Sequence, residues 1–105
     1  MDGRARDTDS GQVVLRPSGE VDMATADVLD DALAAALDRP GLREVVVDLA
    51  DVRFLDSSGI RVLVKAAGAA RERGAALRVA DPQPLVARVL RITAVGPLLG
   101  LADDE

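Results

Sequence analysis

The sequence predicts a small α/β domain with a mostly parallel β-sheet, and two observations support that prediction. Three consecutive valines at positions 45–47 form the β-branched run expected of a strand that is buried on both faces. From Ile60 onward the apolar residues recur at helical spacing, so an amphipathic helix follows that strand. Strands that alternate with helices form parallel sheets with right-handed crossovers. We therefore expect a mixed, mostly parallel sheet of four to five strands packed against about three to four helices.

Length and composition indicate one folded domain. The chain has 105 residues, of which 49% are hydrophobic, and this suffices for a core of its own. Residues 1–11 are polar and charged, so we expect a flexible segment or a weak edge strand there, with the folded domain over residues 12–105. A net charge of −5 argues against direct contact with nucleic acid. The chain has neither an apolar run of membrane-span length nor a signal peptide, which predicts a soluble, cytoplasmic protein without a membrane partner.

Apolar spacing and turn residues give the remaining elements. Strands are predicted over residues 12–16, 44–49 and 76–80, helices over 23–38, 58–73 and 84–93, and a short strand or apolar tail over 98–101. We expect Asp22 to cap the first helix and Ser18-Gly19 to form a turn. Residues 51–55 are expected to connect the valine strand to the second helix. The apolar side chains predicted to be packed include Val28, Phe54, Leu55, Leu85 and Ile92.

The segment Asp56-Ser57-Ser58-Gly59 is where the sequence displays chemistry. It opens the second helix, where backbone N–H groups lack intrahelical partners. Asp22 precedes the first helix, so we expect it at the same sheet edge. A phosphoserine here would add about −1.5 to −2 charges, and the helix macrodipole would stabilise them. Simple capping by Ser57 or Ser58 is the competing explanation, and the residues alone favour it.

Catalysis by this chain is not expected. A nucleophilic serine needs an adjacent base, and the chain contains no histidine and no cysteine. It also lacks a Gly-x-Ser-x-Gly motif and the glycine-rich loops that bind phosphates. We therefore predict no catalytic residue, no cofactor and no metal. A small hydrolase or phosphotransferase that uses Ser57 is the alternative, and the missing histidine counts against it.

Two segments resemble a known family. Residues 54–60, Phe-Leu-Asp-Ser-Ser-Gly-Ile, resemble the phosphorylation-site signature of the bacterial anti-sigma factor antagonists, which are single-domain members of the STAS family. Residues 19–22, Gly-Glu-Val-Asp, resemble that family's segment before the first helix, and the order of elements agrees from about residue 12 to residue 101. The resemblance implies a STAS-like fold.

The resemblance also implies roles for individual residues. Ser57 would be the phosphoacceptor, and Asp22, Asp56, Ser58 and Gly59 would form the docking rim around it. Ser58 would help to cap the helix, and Gly59 would let the partner's backbone approach closely. Without phosphate, the protein would bind an anti-sigma factor with serine kinase activity and so free the sigma factor. Once phosphorylated it would dissociate until a serine phosphatase removes the phosphate.

One position departs from the family pattern. Many members have a second glycine where this chain has Arg61. Arg61 lies one helical turn after Ser57, and we include it among the partner-binding residues if its side chain faces the site. The resemblance therefore also allows a STAS subunit of a signalling scaffold or lipid-transport complex, in which the serine need not be phosphorylated.

Overall fold

Helices separate groups of one to three strands along the chain, where the sequence predicts single strands. The computed structural model describes residues 5–7, 11–93 and 95–100. Its strands are β1 (Ala5–Asp7), β2 (Gln12–Leu15), β3 (Ser18–Val21), β4 (Glu44–Asp48), β5 (Asp51–Leu55) and β6 (Ala76–Ala80). Its helices are α1 (Ala26–Leu37), α2 (Ser57–Glu72) and α3 (Pro84–Ile92), with a short 3-10 helix at Pro97–Leu99. Within these residues, none of the helices has both the length and the apolar character that crossing a membrane requires.

The main sheet has four strands in the order β1-β2-β4-β6. β2, β4 and β6 are parallel, and β1 is antiparallel to β2 at the edge. The valine strand β4 lies between β2 and β6, and its three valines are all buried. The predicted mixed, mostly parallel sheet is therefore confirmed, with the β-branched run at its centre.

A second sheet was not predicted from the sequence. β3 and β5 pair in parallel over residues that were expected to be a turn (18–19) and a connection (51–55). The two strands resume the β2–β4 pairing after a short break, and the offset between paired residues rises from 32 at Leu15 and Val47 to 33 at Ser18 and Asp51. Pro17 has no N–H to donate to the neighbouring strand, and the Leu49 N–H donates instead to Ala80 O at the end of β6. The pairing is therefore interrupted, and it resumes with the register shifted by one residue.

A β-bulge at Arg53 decides which β5 side chains are buried. The register between β3 and β5 shifts by one residue there. As a result Arg53 and Phe54 are both exposed, whereas Val52 and Leu55 on either side are both buried. The predicted burial of Leu55 is confirmed. The predicted burial of Phe54 is wrong because the extra residue turns its side chain outward.

The helices bury narrower stripes than their apolar content suggests. α1 packs against α2, and α3 packs against β5. α1 buries Leu29 and Leu33, four residues apart, while Val28 faces outward and is exposed. α3 is short and buries Val86 and Leu90, so the predicted burial of Leu85 and Ile92 is wrong.

The chain ends also differ from expectation. Within residues 1–11, Ala5–Asp7 forms the edge strand β1, and residues 1–4 and 8–10 lie outside the described residues. The predicted strand or tail at 98–101 is a 3-10 helix over Pro97–Leu99, and Leu101 lies outside the described part. Leu99 is fully buried and belongs to the main core. Pro97 at the first turn favours this helical geometry over a strand.

Candidate functional site

The carboxyl ends of β3 and β5 bring the predicted site residues together. Asp22 follows β3 and Asp56 follows β5, and these strands are parallel neighbours. The Asp56 N–H donates a hydrogen bond to Val21 O at 3.1 Å, which joins the two strand ends directly. The sequence predicts both aspartates at one edge of a sheet, and both lie at the carboxyl edge of the β3–β5 pair. The edge belongs to the unforeseen two-stranded sheet rather than to the valine strand.

Asp22 caps a turn that precedes α1. Its Oδ1 accepts hydrogen bonds from the N–H groups of Ala24 (3.0 Å) and Thr25 (3.2 Å). α1 therefore begins at Ala26, three residues later than predicted, with Thr25 rather than Asp22 in the N-cap position. These hydrogen bonds to backbone N–H groups two and three residues later hold the Asp22 carboxylate at the end of β3.

Thr25 is a site residue that the sequence analysis missed. Its hydroxyl donates to Glu20 O at 3.0 Å and accepts from the Asp22 N–H at 3.0 Å, so it ties the end of β3 to the start of α1. The signal was available, because an Asp and a Thr three residues apart are both residues that bond to nearby backbone in turns. The turn was missed because residues 23–38 were predicted to form one regular helix.

Asp56 is the N-cap of α2. Its Oδ1 accepts from the Ser58 N–H at 2.8 Å and from the Gly59 N–H at 3.4 Å. The helix begins at Ser57, and no hydrogen bond links the Ser58 hydroxyl to a residue that the structure describes. The capping role expected of Ser58 therefore belongs to Asp56. Two of the N–H groups that were expected to be unpaired at this terminus are already satisfied.

Ser57 is the exposed group at this site. It is the first residue of α2, and its hydroxyl makes no hydrogen bond to any described residue. Arg61, one turn later, is also exposed and forms no ion pair within the described part of the chain. An enzyme could therefore reach the Ser57 hydroxyl without first breaking an internal contact.

Gly59 allows α2 to sit directly on the β3–β5 pair. It is buried, and a Cβ added to it would lie 2.5 Å from Leu55 Cδ1 and 2.8 Å from Val21 Cγ1. Real Cβ atoms do not approach other heavy atoms this closely. The close approach that this glycine permits is intramolecular, between the first turn of the helix and the two strands that present Asp22 and Asp56.

Capping by Asp56 leads to a testable stability difference. We expect Asp56→Ala to lower the free energy of unfolding by about 1 kcal/mol, because the Ser58 and Gly59 N–H groups lose their acceptor. Asp56→Asn, which retains a capping oxygen, should cost less. Ser58→Ala is the matched control and should leave stability nearly unchanged. Urea unfolding at pH 7 measures all three, and a larger loss for Ser58→Ala than for Asp56→Ala would contradict the assignment.

The arrangement suits modification and recognition better than catalysis. It offers an exposed hydroxyl, two carboxylates engaged with backbone N–H groups, and an arginine, in a chain without histidine. Among the residues that the structure describes, no three acidic side chains come together to hold a metal ion. The Ser57 hydroxyl is thus accessible from solvent at this edge.

Comparisons with known proteins agree with this fold. A family model described as "Mlab, STAS domain" matches residues 5–100. The chain is 28% identical over 95 residues to the anti-sigma F factor antagonist of Paenibacillus polymyxa, which covers 90% of this chain and 81% of that protein. A solved anti-sigma factor antagonist from Mycobacterium paratuberculosis superposes with a TM-score of 0.81 and 27% identity, covering 98% of this chain and 86% of that one.

The Bacillus anti-sigma factor antagonist SpoIIAA shares the fold in both of its solved forms. The unphosphorylated form superposes with a TM-score of 0.80 at 18% identity, covering 98% of this chain and 90% of that one. The phosphorylated form superposes with a TM-score of 0.72 at 17% identity, covering 98% and 93%. At these identities the likeness concerns the fold.

Proposed function

The chain belongs to the STAS domain family, and from that premise we propose that it is an anti-sigma factor antagonist switched by phosphorylation on Ser57. Unphosphorylated, it binds an anti-sigma factor that has serine kinase activity, and the sigma factor is released. Phosphorylated, it dissociates from that kinase until a serine phosphatase acts on it. The observation that supports this most is the exposed Ser57 hydroxyl at the start of α2, which bonds to none of the described residues and lies beside the strand ends that carry Asp22 and Asp56.

Charge at the surface explains how phosphate would end binding. A phosphate on Ser57 places about −1.5 to −2 charges next to Asp56, whose carboxylate already takes the Ser58 and Gly59 N–H groups. Arg61, one helical turn after Ser57, is a cation that could pair with the dianion, but it is itself exposed, so the phosphate remains at the surface that faces the partner. A partner surface fitted to a bare hydroxyl would bury that charge unpaired, which weakens binding without a change in the fold.

Two substitutions at Ser57 test the proposal. We expect Ser57→Ala to bind the kinase and to accept no phosphate. For Ser57→Asp we expect the binding free energy to weaken by about 2 kcal/mol or more, because the new charge is buried unpaired. Titration calorimetry and phosphate incorporation from ATP, each with a purified anti-sigma factor kinase from the source organism, measure the two effects. Ser58→Ala is the control and should still be phosphorylated. Phosphate retained on Ser57→Ala, or equal affinity for Ser57→Asp, would count against the switch.

The proposal also assigns a cellular setting and excludes catalysis by the chain itself. The kinase supplies ATP and its metal from its own site, so this protein is the substrate and binding partner rather than the enzyme. The absence of a histidine beside Ser57 supports this assignment. We place the protein in the cytoplasm, where a sigma factor acts.

A STAS subunit of a larger assembly is the second candidate. Arg61 in place of the family's second glycine favours it. Such a subunit would bind its partner through the same rim without being phosphorylated. Absence of phosphate incorporation into the wild-type chain, together with unchanged partner binding by Ser57→Asp, would support this alternative.

A further inference from the structure

Phe54 is an unusual residue to find at the surface of this protein. It is the one aromatic residue in the chain, and 49% of its surface is exposed. The core is assembled instead from valine, leucine, isoleucine and alanine. Burying an aromatic side chain removes a large apolar area from water, so a domain with a single phenylalanine gains most by burying it. This domain does not.

The β-bulge is the reason that Phe54 faces solvent. Side chains alternate between the two faces of a regular strand, and Val52 is buried, so residue 54 would be buried as well. The extra residue at Arg53 shifts the register, and Phe54 then points outward while Leu55 fills the core. Bulges of this kind re-aim side chains beside functional sites. The bulge in the β5 backbone is therefore the cause of the exposure of Phe54.

The neighbours of Phe54 belong to the site already described. Phe54 pairs across the sheet with Glu20 and lies two residues before Asp56. Met23, which directly follows Asp22, is 81% exposed. Two exposed apolar side chains, Met23 and Phe54, therefore lie within two residues of Asp22 and Asp56 along the chain.

Two cations near this edge lack partners within the described chain. Arg53, the bulge residue, and Arg61, in the first two turns of α2, are exposed and form no ion pair with a described residue. Of the other cations, Arg16, Lys65, Arg73 and Arg78 each pair with a carboxylate. Arg43, Arg71, Arg88 and Arg91 form no ion pair with a described residue, so Arg53 is distinguished by its place at the bulge next to Phe54. In a chain with a net charge of −5, a guanidinium group next to an exposed phenylalanine and without an ion pair to a described residue favours a partner surface that is apolar with carboxylates around it.

We propose that Phe54 is the apolar anchor of the docking surface and that Arg53 pairs with a carboxylate of the bound partner. This inference rests on the proposed function, because the occupant is the anti-sigma factor kinase, which would receive Phe54 in an apolar pocket with acidic groups at its rim. Aromatic side chains in desolvated pockets, flanked by charged residues, carry much of the binding energy in protein interfaces. Phosphate on Ser57 would thus weaken the same complex that the Phe54 contact stabilises.

The test measures the affinity of the full chain for a purified anti-sigma factor kinase by titration calorimetry. We expect Phe54→Ala to weaken binding about 30-fold or more, with only a small fall in melting temperature because half of the side chain is already exposed. Arg53→Glu should weaken binding about tenfold or more at low salt, with a smaller effect at high salt. Leu98→Ala is the matched control: this side chain is 49% exposed, as Phe54 is, and the 3-10 helix that carries it packs against α2 and β6, so affinity should be unchanged.

The possible outcomes separate this inference from the proposed function. If the kinase binds wild type and rejects Ser57→Asp, yet binds Phe54→Ala as tightly as wild type, the anchor is disproved and the switch stands. If no kinase of the source organism binds wild type, both fail. If sedimentation shows that wild type self-associates and Phe54→Ala does not, a second copy covers Phe54 and the assigned occupant is wrong.

Discussion

Gly59→Val is expected to destabilise the domain by about 3 kcal/mol, the upper range for overpacking a filled core. The new side chain would begin at a Cβ only 2.5 Å from Leu55 and 2.8 Å from Val21, and both neighbours are themselves buried. Both close contacts are side-chain methyl groups in the core, so they can move aside only by repacking the buried residues around them. At roughly 4–8 °C per kcal/mol for a domain of this size, the melting temperature should fall by more than about 10 °C.

Gly68→Ala is the matched control on the same helix. A Cβ at that position would meet nothing within 4 Å, so the substitution adds no clash. Glycine inside a helix costs about 0.5–1 kcal/mol relative to alanine, and Gly68→Ala should therefore raise stability by about that amount. Thermal unfolding of the two variants should shift the midpoint in opposite directions. A Gly59→Val protein as stable as wild type would mean that the first turn of α2 is packed less tightly than the structure shows.

Leu99→Ala is expected to cost about 2–5 kcal/mol, the range for truncating a fully buried leucine. Leu99 is completely buried, and the 3-10 helix that carries it contacts both α2 and β6. Removing the side chain leaves a cavity at the point where the C-terminal segment closes over the core. The free energy of unfolding from urea titration is the measurement.

Leu98→Ala, one residue earlier, provides the control. Leu98 is 49% exposed, so its truncation should change stability by about 0.5 kcal/mol or less. The pair thus compares the same chemical change at adjacent positions that differ in burial. Equal losses would show that the effect comes from the segment's backbone rather than from Leu99 packing.

The elements with strong local signals could be predicted from the sequence. The valine strand, the amphipathic stretch of α2 and the strand over residues 76–80 all appear where the sequence places them. Their apolar spacing determines both the type of element and the buried face. The site segment was found for the same reason, since a polar Asp-Ser-Ser-Gly between a strand and an amphipathic helix stands out.

The missed features depend on contacts between distant residues. The segment Ser18–Val21 contains a serine and a glycine and reads as a turn, and it becomes a strand because β5 lies beside it. The bulge at Arg53 is likewise a property of two strands in register, so no local pattern could show that Phe54 faces solvent. Asp56 and Ser58 were both acceptable caps by residue type, and the backbone geometry at Asp56 decides between them.

The occupied N-terminus of α2 has a consequence for the lifetime of the protein in the cell. Because the Asp56 carboxylate already satisfies the Ser58 and Gly59 N–H groups, a phosphate on Ser57 gains few new bonds within the domain and breaks none. The α2 macrodipole favours the phosphate and the Asp56 carboxylate repels it, so we expect the folding equilibrium, and with it the fraction of chains open to proteases, to be nearly the same with and without phosphate. Neither form would be degraded faster than the other. The ratio of the two forms would then record the balance of kinase and phosphatase rather than protein turnover.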